Sequence, residues 1–334
     1  MTQPAAARAN APTVSTVVCT YNGAAWLGEQ LQTLLTQSRI PDEIVIGDDA
    51  STDETWRVIE TFAAQARARG IALKLTRRNE RLGYVGNFSR ALSEVTGDIV
   101  FLCDQDDAWH PDKIATMVAR FAADPALTFV HSDARLVDAA GRDTGHGLFE
   151  ALELSAHERD SVRSGDAFIV YLRRNLATGA ASAFRRSLLD VALPLPHDWI
   201  HDAWLATLAA AIGRIDIIDD ALVDYRQHGG NQIGMAVRTP LQRIADMFRP
   251  RNDTIRADAA RLDALVARLE GRCADDACIE ATRSMRDHLR TRLAIGGRPV
   301  WGRAAPVVRE WTSGRYTLFG TGARSAIRDL LRIG

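Results

Sequence analysis

The chain has 334 residues, 46% of them hydrophobic and 25% charged, with a net charge of −1. It can bury one large core with an appendage, and its balance is that of an ordinary globular protein rather than a nucleic-acid binder. The longest apolar run, 203–213, contains Thr207 and is too short to span a bilayer.

The charge is uneven: residues 1–238 hold 23 basic and 31 acidic side chains, whereas 239–334 hold 18 and 11. A basic tail of this kind suits solvated helix faces or an anionic membrane surface. Of the 41 basic residues only Lys74 and Lys113 are lysine. Cys19 and Cys103 fall in apolar runs, and Cys273 and Cys278 lack further ligands at zinc-site spacing. This pattern fits a reducing cytoplasm. Residues 1–12 lack the apolar core of a signal peptide and read as a disordered lead-in.

The β-branched run 13–20 predicts a buried strand stopped at Tyr21-Asn22-Gly23. Leu27, Leu31, Leu34 and Leu35 then recur on one helix face. A second strand, 43–47, runs into Asp48-Asp49, and Ser51 with Glu54 has the form of a capping box for the next helix. A third strand is expected over 71–75, a polar loop over 77–86 and a short helix over 87–95. The fourth strand, 98–103, delivers Asp104, Asp106 and Asp107 at its carboxyl end. Pro111 opens a helix over 112–121, and 126–131 reads as a fifth strand. Such alternation predicts a doubly wound, mainly parallel α/β sheet, in which ligands bind outside the carboxyl ends of the strands.

The second half is less regular. Residues 137–147 read as a loop, 176–184 as a small-residue strand, and 215–218 with 221–225 as a strand pair or one bulged strand. His201-Asp202 leads into an apolar helix, and from Pro240 onward the pattern is helical.

Two carboxylates about 4 Å apart repel by roughly 1 kcal/mol in water and about 4 kcal/mol at an effective dielectric near 20. Three behind a buried strand therefore ask for a cation, and hard oxygen ligands select Mg²⁺ or Mn²⁺. No phosphate-cradling glycine loop follows the first strand, which ends in Thr20-Tyr21-Asn22 instead. Asp49, at another strand end, suits a hydrogen bond from a base imide or a ribose hydroxyl. Asn87 suits either a ligand contact or a helix cap, and Asp202 by itself reads as a helix N-cap.

In order, Val17–Asn22 (V-V-C-T-Y-N), Asp48–Asp53 (D-D-A-S-T-D), Gly86–Ala91 (G-N-F-S-R-A) and Asp104–Trp109 (D-Q-D-D-A-W) resemble family-2 glycosyltransferases of the GT-A fold over roughly 13–235. The resemblance implies a nucleotide-sugar-binding half over 13–135, an acceptor-binding half over 136–238 and a C-terminal helical region over 239–334. It also implies a nucleotide-diphospho-sugar donor, with Thr20, Tyr21, Asn22 and Asp49 near the base, Asn87 near the donor and Asp104 near the ribose. Asp106 would hold the metal, His228 the metal or the diphosphate, and Asp202 would be the general base of an inverting transfer. Relatives often carry Glu-Asp where this chain has His201-Asp202.

The D-Q-D-D-x-W, H-D-x-W-L-A and Y-R-Q-H-G-x-N segments are similar to the rhamnosyltransferase-like branch. That branch implies dTDP-rhamnose and a glycan or lipid-linked acceptor in O-antigen-like polysaccharide assembly; the basic C-terminal helical region would then make peripheral contact with the inner membrane face. Two other classes share such a sheet: a nucleotidyltransferase, and a non-catalytic binding module for nucleotide sugars or glycans.

Overall fold

The structure is a computed structural model that describes residues 11–229, 252–272 and 275–331. The lead-in before residue 11, Gly230, Asn231, Cys273 and the start of the helical region therefore lie outside the described residues.

Strands β1 (Val14–Thr20), β2 (Glu43–Asp48), β3 (Ala72–Arg77) and β4 (Ile99–Cys103) pair in parallel in the order β3-β2-β1-β4. Alternate side chains serve opposite layers: Val14 and Val18 of β1 join one core, and Val17 joins the other. On β4, Ile99, Phe101 and Cys103 face the first core, and Val100 and Leu102 the second. A strand buried on both faces has to be a continuous apolar run, as this one is.

The chain continues through β5 (Ala108–Trp109), β6 (Leu127–Val137), β7 (Asp143–Gly147), β8 (Ser182–Arg185) and β9 (Arg214–Arg226). Beyond β4 the sheet is mixed: β8 runs antiparallel to β4 and β6, β9 runs parallel to β6, and β5 and β7 pair antiparallel at the periphery. β9 is one strand whose register against β6 shifts between Ser132 and Asp133, the bulged form of the two expected options.

Helices α1 (Leu27–Leu35), α2 (Thr55–Ala68) and α4 (Lys113–Ala123) cover the first core, with α3 (Gly83–Leu92) and α5 (His201–Ile212) on the other side. Two long helices, α6 (Asn252–Leu269) and α7 (Asp276–Gly296), pack into that second core through Leu262, Leu265, Leu269 and Leu289. Each fully buried leucine contributes about 1.5–3 kcal/mol. Trp199 Nε1 donates to the Arg261 carbonyl at 3.0 Å, and Arg268 donates to the Val191 carbonyl at 2.6 Å. The helical region is thus docked onto the sheet domain rather than hung from it.

Several local expectations are corrected. Ser51 does not cap a helix: α2 begins at Thr55, and the Ser51 hydroxyl bonds Asp48 and accepts from Asn22 N. The segment 176–184 is a strand only from Ser182, because residues 179–181 form a 3-10 turn beneath the cleft. The expected loop 137–147 contains β7, and β6 runs past the 135/136 boundary between the expected halves.

Candidate active site

The carboxyl ends of β1, β2 and β4, the start of α5 and the chain after β9 surround a cleft of about 860 Å³. Thr20, Tyr21, Asn22, Asp49, Asn87, Asp104, Asp106, Asp202 and His228 all line it. Parallel strands point their ends to one side, so residues far apart in sequence meet there.

On the wall formed by β1 and β2, most polar groups already hold the backbone. The Thr20 hydroxyl donates to Asp48 at 2.8 Å. Asn22 sits at φ 47°, a left-handed position that asparagine tolerates, and its side-chain Oδ1 accepts from Thr52 N at 2.9 Å. Both oxygens of Asp49 accept backbone N–H bonds, from Leu82 at 2.7 Å and Gly83 at 2.9 Å, and so fix the entry to α3. Asn87 is not a cap but lies inside α3, donating to the Gly47 carbonyl at 2.7 Å and accepting from Arg78 at 2.9 Å. The Arg81 guanidinium lies 3.7 Å from the Tyr21 ring centroid and within 4.0 Å of Asp49, making a flat, cationic wall. Arg81 was hidden in a polar loop whose sequence carries no motif.

Gln105 clamps this wall to the carboxylate loop. It accepts from Tyr21 N at 2.8 Å and donates to the Tyr21 carbonyl at 3.1 Å. A Cβ on Gly23 would stand 2.3 Å from Gln105 Oε1, so only glycine admits the clamp.

The three carboxylates of the loop have different environments. Asp104 faces the cleft; burial first, then the charges of Asp106 and Asp202, raise it to about 7. Asp106 Oδ2 lies 2.8 Å from His228 Nε2, and the His228 ring stacks on Trp26 at 3.9 Å. Asp107 is buried, accepts from Arg226 N at 2.9 Å, and is pushed well above the carboxylate range by burial and its two acidic neighbours. It braces the turn. Arg226 completes the joint, donating to the Asp106 carbonyl at 2.8 Å and to Glu29 at 2.8 Å.

Behind this loop Lys113 is wholly buried, its ammonium 3.7 Å from the Trp109 ring centroid and bonded to the Ala180 carbonyl. Burial lowers it to about 7 against the pull of Cys103, Asp107 and Asp104.

Asp202 sits in the first turn of α5, not at the N-cap, which is Ile200. Its carboxylate accepts from Asn175 Nδ2 at 3.0 Å and Gly179 N at 2.9 Å. Asn175 and Gly179 lie in the stretch read from sequence as strand or its flank, so their role as holders of Asp202 was not legible. His201 stacks on Phe88 at 4.0 Å, and burial holds its imidazole below the usual range.

The family profile described as "Glycosyl transferase family 2" matches residues 15–192, more than half of the chain. The chain belongs to glycosyltransferase family 2. An uncharacterised glycosyltransferase of Nostoc sp. is 27% identical to this family-2 protein over 222 residues, covering 65% of this chain and 66% of the relative. The dTDP-rhamnosyl transferase RfbG of Shigella flexneri is 36% identical over 104 residues, covering 30% of this chain and 35% of the relative. The matched stretches thus span from about a third to just under two thirds of those relatives.

Among solved structures, Staphylococcus aureus TarS residues 1–349 with UDP-GlcNAc superimposes with a TM-score of 0.56 at 17% identity, covering 95% of this chain and 89% of the other. The Pyrobaculum calidifontis mannosyltransferase PcManGT, solved with GDP-Man and Mn²⁺, gives 0.51 at 20% identity, covering 96% and 86%. The fold is therefore of the GT-A glycosyltransferase type.

Among the described residues, no group of three or more His, Cys, Asp or Glu side chains converges as a metal site. Asp106 and His228 bring two donor atoms to one edge of the cleft. That set suits Mg²⁺ or Mn²⁺, which take their remaining ligands from phosphate and water. No helix among the described residues is long and apolar enough to cross a membrane.

Proposed function

We propose that this family-2 glycosyltransferase moves a sugar from a nucleotide-diphospho-sugar to a hydroxyl of a glycan or lipid-linked acceptor, inverting the anomeric carbon. The observation that carries the reading is the convergence of Asp104, Asp106, His228 and Asp202, from three separate segments, on one cleft. Tyr21, Arg81 and Asp49 form the wall for the base, Asn87 holds the donor side of the cleft in shape, and Asp104 faces the ribose.

Asp202 accepts the proton of the acceptor hydroxyl as its oxygen bonds the anomeric carbon. The bond from that carbon to the diphosphate oxygen breaks, and its electron pair leaves with the nucleoside diphosphate. Asn175 and Gly179 N hold the Asp202 carboxylate for this step. A divalent ion held by Asp106 and His228 would neutralise the charge of the departing diphosphate.

For the donor we favour dTDP-rhamnose, supported by the stretch related to RfbG and by the D-Q-D-D-A-W segment. The setting would be O-antigen-like polysaccharide assembly at the cytoplasmic face of the membrane. The test is release of nucleoside diphosphate from dTDP-rhamnose, UDP-GlcNAc and GDP-mannose, with and without Mn²⁺ or Mg²⁺. Metal-dependent release of dTDP above the other two supports the reading. Pyrophosphate as the product points to nucleotidyl transfer, and binding without turnover points to a non-catalytic module.

A further inference from the structure

Nine large hydrophobic side chains are exposed among the described residues, and seven of them lie between Val300 and Leu331. Trp301 is 87% exposed, and Trp311, Val308, Ile327 and Leu331 are open as well. This segment forms three short helices after α7: α8 (Ala304–Thr312), α9 (Arg315–Phe319) and α10 (Ala323–Leu331). Val308 and Trp311 are i, i+3 on α8, and Ile327 and Leu331 are i, i+4 on α10, so each pair shares one side of its helix. The other sides are already used: Val307, Tyr316 and Ala326 close with Ile295 into a small core. Among the described residues, the apolar outer sides have no such cover.

The charges are sorted in the same way. Residues 298–331 hold six arginines and two acids. Both acids point inward: Glu310 meets His288 Nδ1 at 2.7 Å, and Asp329 meets Arg292 Nε at 2.7 Å and the Tyr316 hydroxyl at 2.9 Å. Arg298, Arg309 and Arg324 are exposed. On the α6–α7 hairpin, by contrast, Arg290, Arg283 and Arg261 are each paired with a nearby acid: Asp263, Glu270 and Asp258. Among the described residues of the C-terminal region, 252–272 and 275–297 hold eight arginines and eight acids, so the positive excess of the described part lies in 298–331, the segment that carries the open tryptophans.

We infer that residues 298–331 form a foot that lies in the interface of an anionic phospholipid bilayer. Trp301 and Trp311 enter the headgroup boundary, and Arg298, Arg309 and Arg324 face the lipid phosphates. The anionic leaflet is the occupant because the exposed charged side chains within 298–331 are all arginines. The foot does not depend on which sugar the cleft takes.

The test is flotation of the full chain with vesicles of phosphatidylcholine, with and without phosphatidylglycerol. The expected result is flotation with the phosphatidylglycerol vesicles, weakening as salt rises. Trp301→Ser with Trp311→Ser, and separately Arg309→Glu with Arg324→Glu, should each lower partitioning by about tenfold or more. Circular dichroism and the thermal midpoint should be unchanged. Trp301→Ser alone, outside the three helices, should lower it severalfold even if a double variant misfolds. Flotation equal in all variants, or absent with both vesicles, would overturn the inference. So would a dimer of the wild-type chain that the tryptophan variant abolishes, since the surface would then belong to a second copy.

Discussion

His228 Nε2 lies 2.8 Å from Asp106 Oδ2, joining the chain after β9 to the loop after β4. Trp26 stacks on the same imidazole, so three segments set the position of one nitrogen. Asp106→Ala should abolish metal-dependent donor binding. His228→Ala should weaken it by about 10–100-fold, and Trp26→Ala by less, because Trp26 supports the His228 ring but brings no donor atom to the ion. Titration of donor binding against Mn²⁺ measures all three; unchanged Mn²⁺ dependence in Asp106→Ala would remove it from the metal site.

Asp202→Asn should lower kcat by about 10²–10⁴-fold while leaving donor affinity near wild type. Asn175→Ala leaves the carboxylate in place but frees one side of it, and should cost less in kcat with little change in KM. Equal loss of donor binding and turnover in Asp202→Asn would assign the residue to the donor instead.

Lys113 is one of two lysines beside 39 arginines, and it occupies a closed space between the Trp109 ring, the Ala180 carbonyl and the acidic loop. A guanidinium is larger than an ammonium, so Lys113→Arg should destabilise the fold by about 1–3 kcal/mol. Urea unfolding reads this directly. Wild-type stability in Lys113→Arg would mean that the space is not closed.

His131 is buried and bonded to the Tyr171 hydroxyl at 2.6 Å, and burial lowers it from 6.5 to about 3. Above pH 6.5 neither state carries the proton. As pH falls from 6.5 towards 3, the unfolded chain binds a proton that the folded chain refuses, so stability falls by an amount of order a few kcal/mol. His131→Gln should flatten the curve of unfolding free energy against pH in that window, whatever it does to the value at neutral pH.

The alternating β-branched runs and the leucine spacing of α1 were legible because period-2 and period-3.6 burial are local properties of a chain. So was the gathering of Thr20, Asp49 and Asp104 to one side, which follows once parallel strands alternate with helices. Residues whose use depends on distant partners were not legible. Ser51 has the letters of a capping box and bonds Asp48 and Asn22 instead. Asn175 and Gly179 hold Asp202 from a stretch that reads as strand or flank.

By itself the sequence determined the parallel α/β half, the acidic loop and the likeness to family-2 glycosyltransferases, because short-range pattern and ordered motifs suffice for these. Only the tertiary structure decided that Asp106 meets His228, that Asp107 turns inward, and that the acids of 298–331 are buried while its tryptophans are open. Those outcomes depend on which group reaches which partner across the fold, and neither spacing nor composition carries that information.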